Sequence, residues 1–547
     1  MTAGTRLLRP DPSRRHPRKT GRRRISQDWV SLDIDRVLGE PAADEIALQA
    51  YQMGRPKVVQ DDAALYAGAV GHVRASARAS PTMPRPSRCV AALMAILLLA
   101  TALRFLAVFT VGDREEVHGD EVQYLTAARS LVVQGTYPDA FRPPLYPAML
   151  AVALAISDNL SSAREAQIIL SVATIVLAFF IVRPRFGCTS ALITASVIAF
   201  NPTLIHYTHF LWTDTLTAFF LTALVFLVER FESSQRAAQA FIAGVVLGLA
   251  ALSREALVYV LPGLLACIYF AQEAPRQWKA PLVALAGAVI VIAPWTIRNS
   301  VSEREFVLIS TARWAPIAEG LLHDPITGRR STAITKRFRQ ELRRQPGHLE
   351  KEAFARRIAV DSLRHANLYW LLSKAWAGPS QLFSAENQTA RFARHDWFSP
   401  RYRCILPPLV STEVIYYIVT TLFGLVALWF VPGGWPKAFV VSTILLHVAM
   451  HMVAYSTHRY RVPILPLLVL YIGPLLSGHA VSGQRWRDIG ATVTGLAFLV
   501  AVGSTALKPG VRRFFIQTFD GCAIGGRGAA MSRPPSTRLF QAAQRVS

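Results

Sequence analysis

The sequence predicts an all-α, polytopic membrane protein with about 11–12 transmembrane helices. Three observations carry this reading. Hydrophobic residues make up 52% of the 547 and charged residues only 17%, where a soluble domain holds roughly a quarter charged. Apolar runs close to the roughly 20 residues that a spanning helix needs recur along the chain. The charge gathers in a few polar stretches between those runs. An ordinary soluble enzyme and a disordered chain are both excluded. The net charge of +24, from 59 Lys and Arg against 35 Asp and Glu, fits anionic phospholipid or a phosphate-bearing substrate. Nucleic acid is not expected as a partner, because the long apolar runs require lipid.

In chain order, residues 1–88 are polar and basic, with Arg22, Arg23 and Arg24 in one run. They are too long and too polar for a signal peptide and read as a mostly disordered cytoplasmic extension. Apolar segments follow near 89–111, 144–158, 163–182, 188–206, 211–229, 237–253, 255–272 and 280–297. The polar loop 112–143 separates the first two. A long loop, 298–411, carries 19 basic and 10 acidic residues. Four further segments lie near 412–431, 437–455, 460–477 and 488–506, and a basic flexible tail covers 507–547. The module 89–297 and the helices 412–506 form the membrane part.

Orientation follows from charge. Sixteen Lys or Arg against nine acids precede the first span, which holds the N-terminus in the cytoplasm and puts 112–143 outside. Eight full spans before residue 298 would put the long loop inside, yet Arg485 and Arg487 mark 478–487 as cytoplasmic. One early segment therefore fails to cross. The first suspect is 144–158, about 15 residues bracketed by Pro144 and Asp158; the second is the pair 237–272, broken at Arg254-Glu255.

The outer loop holds Asp120 and Glu121 at the start of a short surface helix that ends at Gly135. Asp120 is read either as a cap of that helix or as a general base at the lipid–water boundary. Asp214, at the edge of an apolar run, is an ionisable group at membrane depth and so a functional candidate. Arg142, Arg254, Arg298, Arg459 and Arg461 sit at segment ends, as helix anchors or as phosphate ligands. No cofactor is called for. Asp214 with Asp120 or Glu121 is the candidate set for a divalent cation, and His118, His206 and His209 are a weaker candidate for zinc, with polar lining of a cavity the preferred role. The five cysteines show neither a zinc nor a disulfide framework. The stretch 332–376, with Arg337, Arg339, Arg343 and Arg344 alternating with Phe338, Leu342, Phe354, Ile358 and Leu363, suggests helices on the outer leaflet that roof the site. Trp370, Trp376 and Trp397 suit an interface better than a sugar platform.

Several of these pieces occur in the order of a known family. Asp120-Glu121-x-x-Tyr124 is followed by Gly135-x-Tyr137, by Arg142-Pro143-Pro144-Leu145-Tyr146-Pro147, by Asn201-Pro202 and by Thr213-Asp214. Then come Gly244-x-x-x-Gly248-Leu249-Ala250-x-Leu252-Ser253-Arg254, Pro294-Trp295-x-Ile297-Arg298-Asn299, Phe306-Val307-Leu308, and His458-Arg459-Tyr460-Arg461-x-Pro463-x-x-Pro466. Over roughly residues 89–475 the chain resembles the GT-C membrane glycosyltransferases, in the branch of the protein O-mannosyltransferases and the lipid A aminoarabinose and galacturonic-acid transferases. It departs from them at Asp214, often Glu there, and at Glu255, often Pro.

The resemblance implies a GT-C fold with an outward-facing site and a shared module of seven membrane helices. It implies transfer of a sugar from a polyprenyl-phosphate donor to an envelope acceptor, with inversion, in a bacterial inner membrane. Asp120 is then the base, with Glu121 as its substitute. Arg142, Arg254, Arg298, Arg459 and Arg461 are the phosphate ligands, and Tyr124, Tyr137, Tyr146, Asp214, His458 and Tyr460 line the cavity. The rival reading is a polyprenyl-lipid or small-solute transporter without transfer chemistry; no internal repeat supports it.

Overall fold

A computed structural model of the chain describes residues 86–110, 117–322, 332–394, 406–481 and 485–506. The N-terminal extension, the basic tail and Trp397 lie outside the described residues. Among the described residues every regular element is helical, and five helices are long and apolar enough to cross a membrane.

The first is α1, Pro86–Phe109. A polar turn leads into α2, Asp120–Gln134, which Gly135 closes in the left-handed conformation at φ 67°, the geometry a helix end asks of glycine. α3, Leu145–Ile156, has 12 residues. At 1.5 Å per residue it is about 18 Å long, too short to cross about 30 Å of hydrocarbon.

α4, Leu160–Ala199, runs 40 residues but is broken by Pro184 and by Gly187 at φ 78°. The two expected segments are therefore the limbs of a hairpin. Arg104 of α1 shows this directly: its Nε donates to Ser171 Oγ on the first limb at 2.8 Å, and its Nη1 donates to the carbonyl of Ala199, the last residue of the second, at 3.0 Å. At the hairpin turn Cys188 is disulfide-bonded to Cys89, near the start of α1. That bond corrects the expectation of unpaired thiols; two cysteines 99 residues apart in sequence leave no spacing signal.

α5 (Pro202–His206) continues the second limb, followed by α6 (Asp214–Ser234) and α7 (Ala237–Ser253). A 3-10 turn, Glu255–Val260, leads into α8, Leu261–Phe270, and α9 follows at Lys279–Glu303. The large loop contributes α10 (Trp314–Leu321), α11 (Thr332–Arg344), α12 (His348–Arg364), α13 (Leu368–Leu382) and α14 (Gln388–Arg394). α15 (Leu406–Phe430) and α16 (Gly434–Val453) return to the bundle. A 3-10 turn at His458–Ile464 with the short α17 (Leu465–Val469) and α18 (Ile472–Leu476) forms one broken pass, and α19 is Arg485–Ala506.

Polar links mark the two ends of the bundle. At the far end Arg185 binds Glu229 at 3.3 Å and Glu232 at 2.5 Å, and Val481 N–H donates to the Phe430 carbonyl at 3.0 Å. At the other end Arg254 meets Asp214 and Arg459 meets Asp120. At the start of the large loop Arg298 donates to the Tyr137 carbonyl, and just after its end Glu413 of α15 accepts the hydroxyl of Thr203 on α5. The loop therefore begins and ends at the Asp120 end. Its helices α10, α11 and α12 enclose a small core around Leu321, Phe338 and Ala355, so the amphipathic pattern of 332–376 is spent largely on packing within the loop.

The Gly244-x-x-x-Gly248 motif is explained by packing. A Cβ on Gly244 would lie 1.8 Å from the Ala284 carbonyl oxygen, and one on Gly287 2.4 Å from that of Phe241. α7 and α9 touch backbone to backbone, as small residues allow in membranes. Gly244→Val is expected to force these helices apart and destabilise the protein by about 3 kcal/mol, read as a lower unfolding midpoint in detergent; an unchanged midpoint would refute the contact.

Candidate active site

The site begins with a division of labour between adjacent acids. The chain enters α2 through Gly119 at φ 63°, a left-handed turn that favours glycine. Asp120 is the first helical residue, and no side chain caps the helix, so Asp120 is not the cap. Glu121, 1% exposed, ties the entry down. Its Oε2 accepts the His118 N–H and its Oε1 the Leu211 N–H, each at 3.0 Å. A buried backbone donor left unpaired is costly, and Glu121 satisfies two. Asp120 is thereby left to face the arginines.

The segment 207–213 between α5 and α6 is irregular and buried, so its backbone groups need partners. Gln167 Nε2 donates to the carbonyls of Thr208 (3.1 Å) and Phe210 (2.7 Å), and Arg164 Nε to that of His209 (3.3 Å). Tyr146 donates its hydroxyl to Gln167 Oε1 at 3.2 Å and meets the Tyr124 ring edge-on at 5.0 Å. These contacts fix Trp212 and deliver Asp214 to the first turn of α6.

Arg459 joins the two carboxylates. Its Nη1 lies 2.8 Å from Asp120 Oδ2 and its Nε 2.9 Å from Asp214 Oδ2, while its guanidinium stacks 3.8 Å from the Trp212 ring centroid. Arg142 Nη2 takes the other Asp120 oxygen at 2.8 Å, and its Nε donates to Gln123 Oε1 at 2.9 Å. Arg254 Nη1 reaches Asp214 Oδ1 at 3.2 Å and lies 4.9 Å from the Tyr460 ring centroid. Three guanidinium groups thus surround two carboxylates, leaving one unit of positive charge. Asp214 is fully buried; Asp120 keeps a third of its side chain exposed. Burial pushes the Asp120 carboxyl up, but the charges of Arg459, Arg142 and Arg254 outweigh it and hold it below its ordinary value.

Two expected arginines stand elsewhere. Arg461, 2% exposed, donates to the carbonyls of Leu382, Ser384 and Glu386 and stacks 3.7 Å from the Tyr417 ring centroid. It fastens the returning end of the large loop. His458 helps, with Nε2 3.1 Å from Gln388 Oε1. Arg298 Nη2 donates to the Tyr137 carbonyl at 2.8 Å, and the guanidinium lies 4.9 Å from the Trp295 ring centroid. Tyr137 in turn donates its hydroxyl to the Arg142 and Pro143 carbonyls at 3.1 and 3.2 Å. Arg298 and Tyr137 therefore support the backbone beneath Arg142. Gln123, Gln167 and Trp212 escape a sequence reading; the only signal is a pair of polar residues, Arg164 and Gln167, one helical turn apart inside an apolar run.

The residues do not fit a metal. Asp120 and Asp214 converge on a guanidinium, and Glu121 is engaged by backbone N–H groups. His206 and His209 pack ring against ring at 4.2 Å. Among the described residues no three of His, Cys, Asp or Glu are grouped to hold an ion.

Comparison with known proteins gives one family. Residues 141–297, which hold Arg142, Tyr146, Asp214 and Arg254, match the model described as dolichyl-phosphate-mannose-protein mannosyltransferase. Over that segment the chain is similar to that family. No curated protein sequence matches. Among solved structures, the archaeal oligosaccharyltransferase AglB from Archaeoglobus fulgidus, in complex with an inhibitory peptide and a dolichol-phosphate, is 14% identical over 79% of this chain and 56% of its own, with a TM-score of 0.41. ArnT from Cupriavidus metallidurans, bound to undecaprenyl phosphate, is 15% identical over 70% of this chain and 78% of its own, with a TM-score of 0.38. The chain spans just over half the length of the oligosaccharyltransferase.

The loop helices meet the bundle beside Arg254. Glu255 accepts from Ser310 Oγ at 2.5 Å and Arg313 Nε at 3.2 Å, and Glu352 of α12 accepts the Trp314 N–H at 3.0 Å. Burial pushes the Glu352 carboxyl up to about 7, against the Trp314 N–H and Arg313, which lower it. A carboxyl raised on folding stabilises the fold below its unfolded value and loses that contribution as pH rises through about 7. The backbone amides of α10 and α12 should therefore exchange faster at pH 8 than at pH 6, beyond the intrinsic rate change, and Glu352→Gln should abolish the difference. Equal protection at both pH values in the wild type would contradict this.

Proposed function

We propose that the protein is a membrane glycosyltransferase that moves a sugar from a polyprenyl-phosphate donor to a hydroxyl on an envelope acceptor. The observation that carries this reading is the Arg142, Arg254 and Arg459 cluster around Asp120 and Asp214. It lies at the end of a membrane bundle, where a lipid-borne phosphate arrives. Guanidinium groups match phosphate oxygens and stay charged. The family description adds support, since it names a polyprenyl-type phosphate sugar as donor.

The chemistry needs a base for the hydroxyl and cations for the leaving phosphate. Asp120 takes the acceptor proton as the hydroxyl oxygen bonds to C1 of the sugar. The bond from C1 to the phosphate oxygen breaks, and its electron pair leaves with the phosphate, whose charge Arg142, Arg254 and Arg459 stabilise. One displacement inverts the anomeric centre. Asp214, fully buried, holds Arg254 and Arg459 in place and is not the base. Tyr124 and Tyr460 stack beneath Arg142 and Arg254. Arg298, Arg461 and His458 support the surrounding backbone. The reading puts the site end on the outer face of a bacterial inner membrane and the N-terminus in the cytoplasm. Whether a hexose or a pentose is moved depends on loop geometry around the sugar.

The test is transfer by purified protein given membrane extract carrying radiolabelled polyprenyl-phosphate sugars. Asp120→Asn, in a protein with unchanged unfolding midpoint, is expected to lose about 10²–10⁴-fold in rate. Arg142→Gln is expected to raise the donor KM more than it lowers kcat. Full activity of Asp120→Asn would remove the base assignment. Movement of an intact lipid-linked sugar across a bilayer without transfer would favour the transporter reading.

A further inference from the structure

Asp120 offers no uncommitted oxygen in this site. Oδ1 takes Arg142 Nη2 and Oδ2 takes Arg459 Nη1, both at 2.8 Å. A carboxylate held by two charge-assisted bonds is a weak base. Each arginine, however, has a second holder besides the base. Arg142 gives Nε to Gln123 Oε1 at 2.9 Å and lies over the Tyr124 and Phe141 rings, 5.4 and 5.1 Å from their centroids. Arg459 gives Nε to Asp214 Oδ2 at 2.9 Å and lies over Trp212. Both guanidinium groups would keep their places if Asp120 let go. Gln123 sits three residues beyond Asp120 on α2, so one helical turn carries both the partner that leaves and the partner that stays.

Resting on the donor reading above, we infer that the donor phosphate arms the base. Its oxygens take Arg142 Nη2 and Arg459 Nη1 from Asp120, while Gln123 and Asp214 hold the two guanidinium groups where they are. Gln123 is thus a positioning residue for the transfer. The step exchanges anions on two cations; no covalent bond forms or breaks. Donor binding must then precede acceptor activation. A site without donor has no competent base, and the proton is taken only when a leaving group is present.

The probe is polyprenyl monophosphate, which carries the phosphate and no sugar to transfer. The full chain in lipid nanodiscs is titrated by infrared spectroscopy, following the carboxyl band that Asp120→Asn removes. Adding the lipid is expected to move that titration up by about one pH unit or more, as the arginine charges are shared with phosphate. Gln123→Ala is expected to bind the lipid more weakly by about tenfold or more, the loss of one hydrogen bond to a charged group, and to show a smaller shift, because Arg142 without its fixed holder stays with Asp120. Lipid that binds without moving the titration would overturn the arming step and leave the donor reading standing. Lipid that does not bind would remove both. Full affinity and full shift in Gln123→Ala would overturn the role of Gln123.

Discussion

The Arg459 guanidinium between Asp120 and Asp214 is the contact on which the site depends. It spans two acids from separate elements, Asp120 at the start of α2 and Asp214 at the start of α6, and brings a third element, the 458–464 turn, against both. A buried carboxylate such as Asp214 is expensive without a cation, and an arginine at the end of a bundle is equally expensive without an anion. Each removes the cost of the other. The stack on Trp212 sets the plane of the guanidinium, so its edge is directed by geometry and not only by charge.

Around this contact the scaffold is a series of buried polar fastenings. Glu121 and Gln167 satisfy the irregular backbone before Asp214. Arg461 holds the carbonyls of 382–386. One turn of α15 away from Tyr417, Glu413 accepts the hydroxyls of Thr203 and Thr389 at 3.0 and 2.6 Å, tying α5 and α14 to the same helix. In hydrocarbon there is no water to satisfy a stray polar group, so these side chains specify where the loops sit as well as stabilising them.

Much of this was legible in the sequence, and the limits are physical. The apolar runs locate the five helices long and apolar enough to cross a membrane, because spanning length follows from composition. The conflict between charge bias and helix count raises 144–158 first and 237–272 second as the segment that does not cross, and α3, within the first, has only 12 residues. Asp120, Asp214, Arg142, Arg254 and Arg459 were all candidates, and they converge. The α4 hairpin keeps the two expected segments as its limbs, and Arg183, Pro184, Arg185 and Gly187 between them mark the turn. Arg461 and Arg298 were indistinguishable from Arg459 by position, since what separates them is the partner each finds: loop carbonyls for two of them, carboxylates for the third. Gln123 could not be found, because a single glutamine in a polar loop carries no pattern, and Gln167 showed only as one of a polar pair with Arg164 inside an apolar run.

If Asp120 and Arg459 act as one unit, their losses cannot be independent. The most direct measurement is a double-mutant cycle on the rate of sugar transfer, with Asp120→Asn, Arg459→Gln and both together, each protein checked for folding. The expected result is a double variant no slower than the slower single one, as for groups that serve the same step. Losses that multiply, so that the logarithms add, would contradict a shared role at one site.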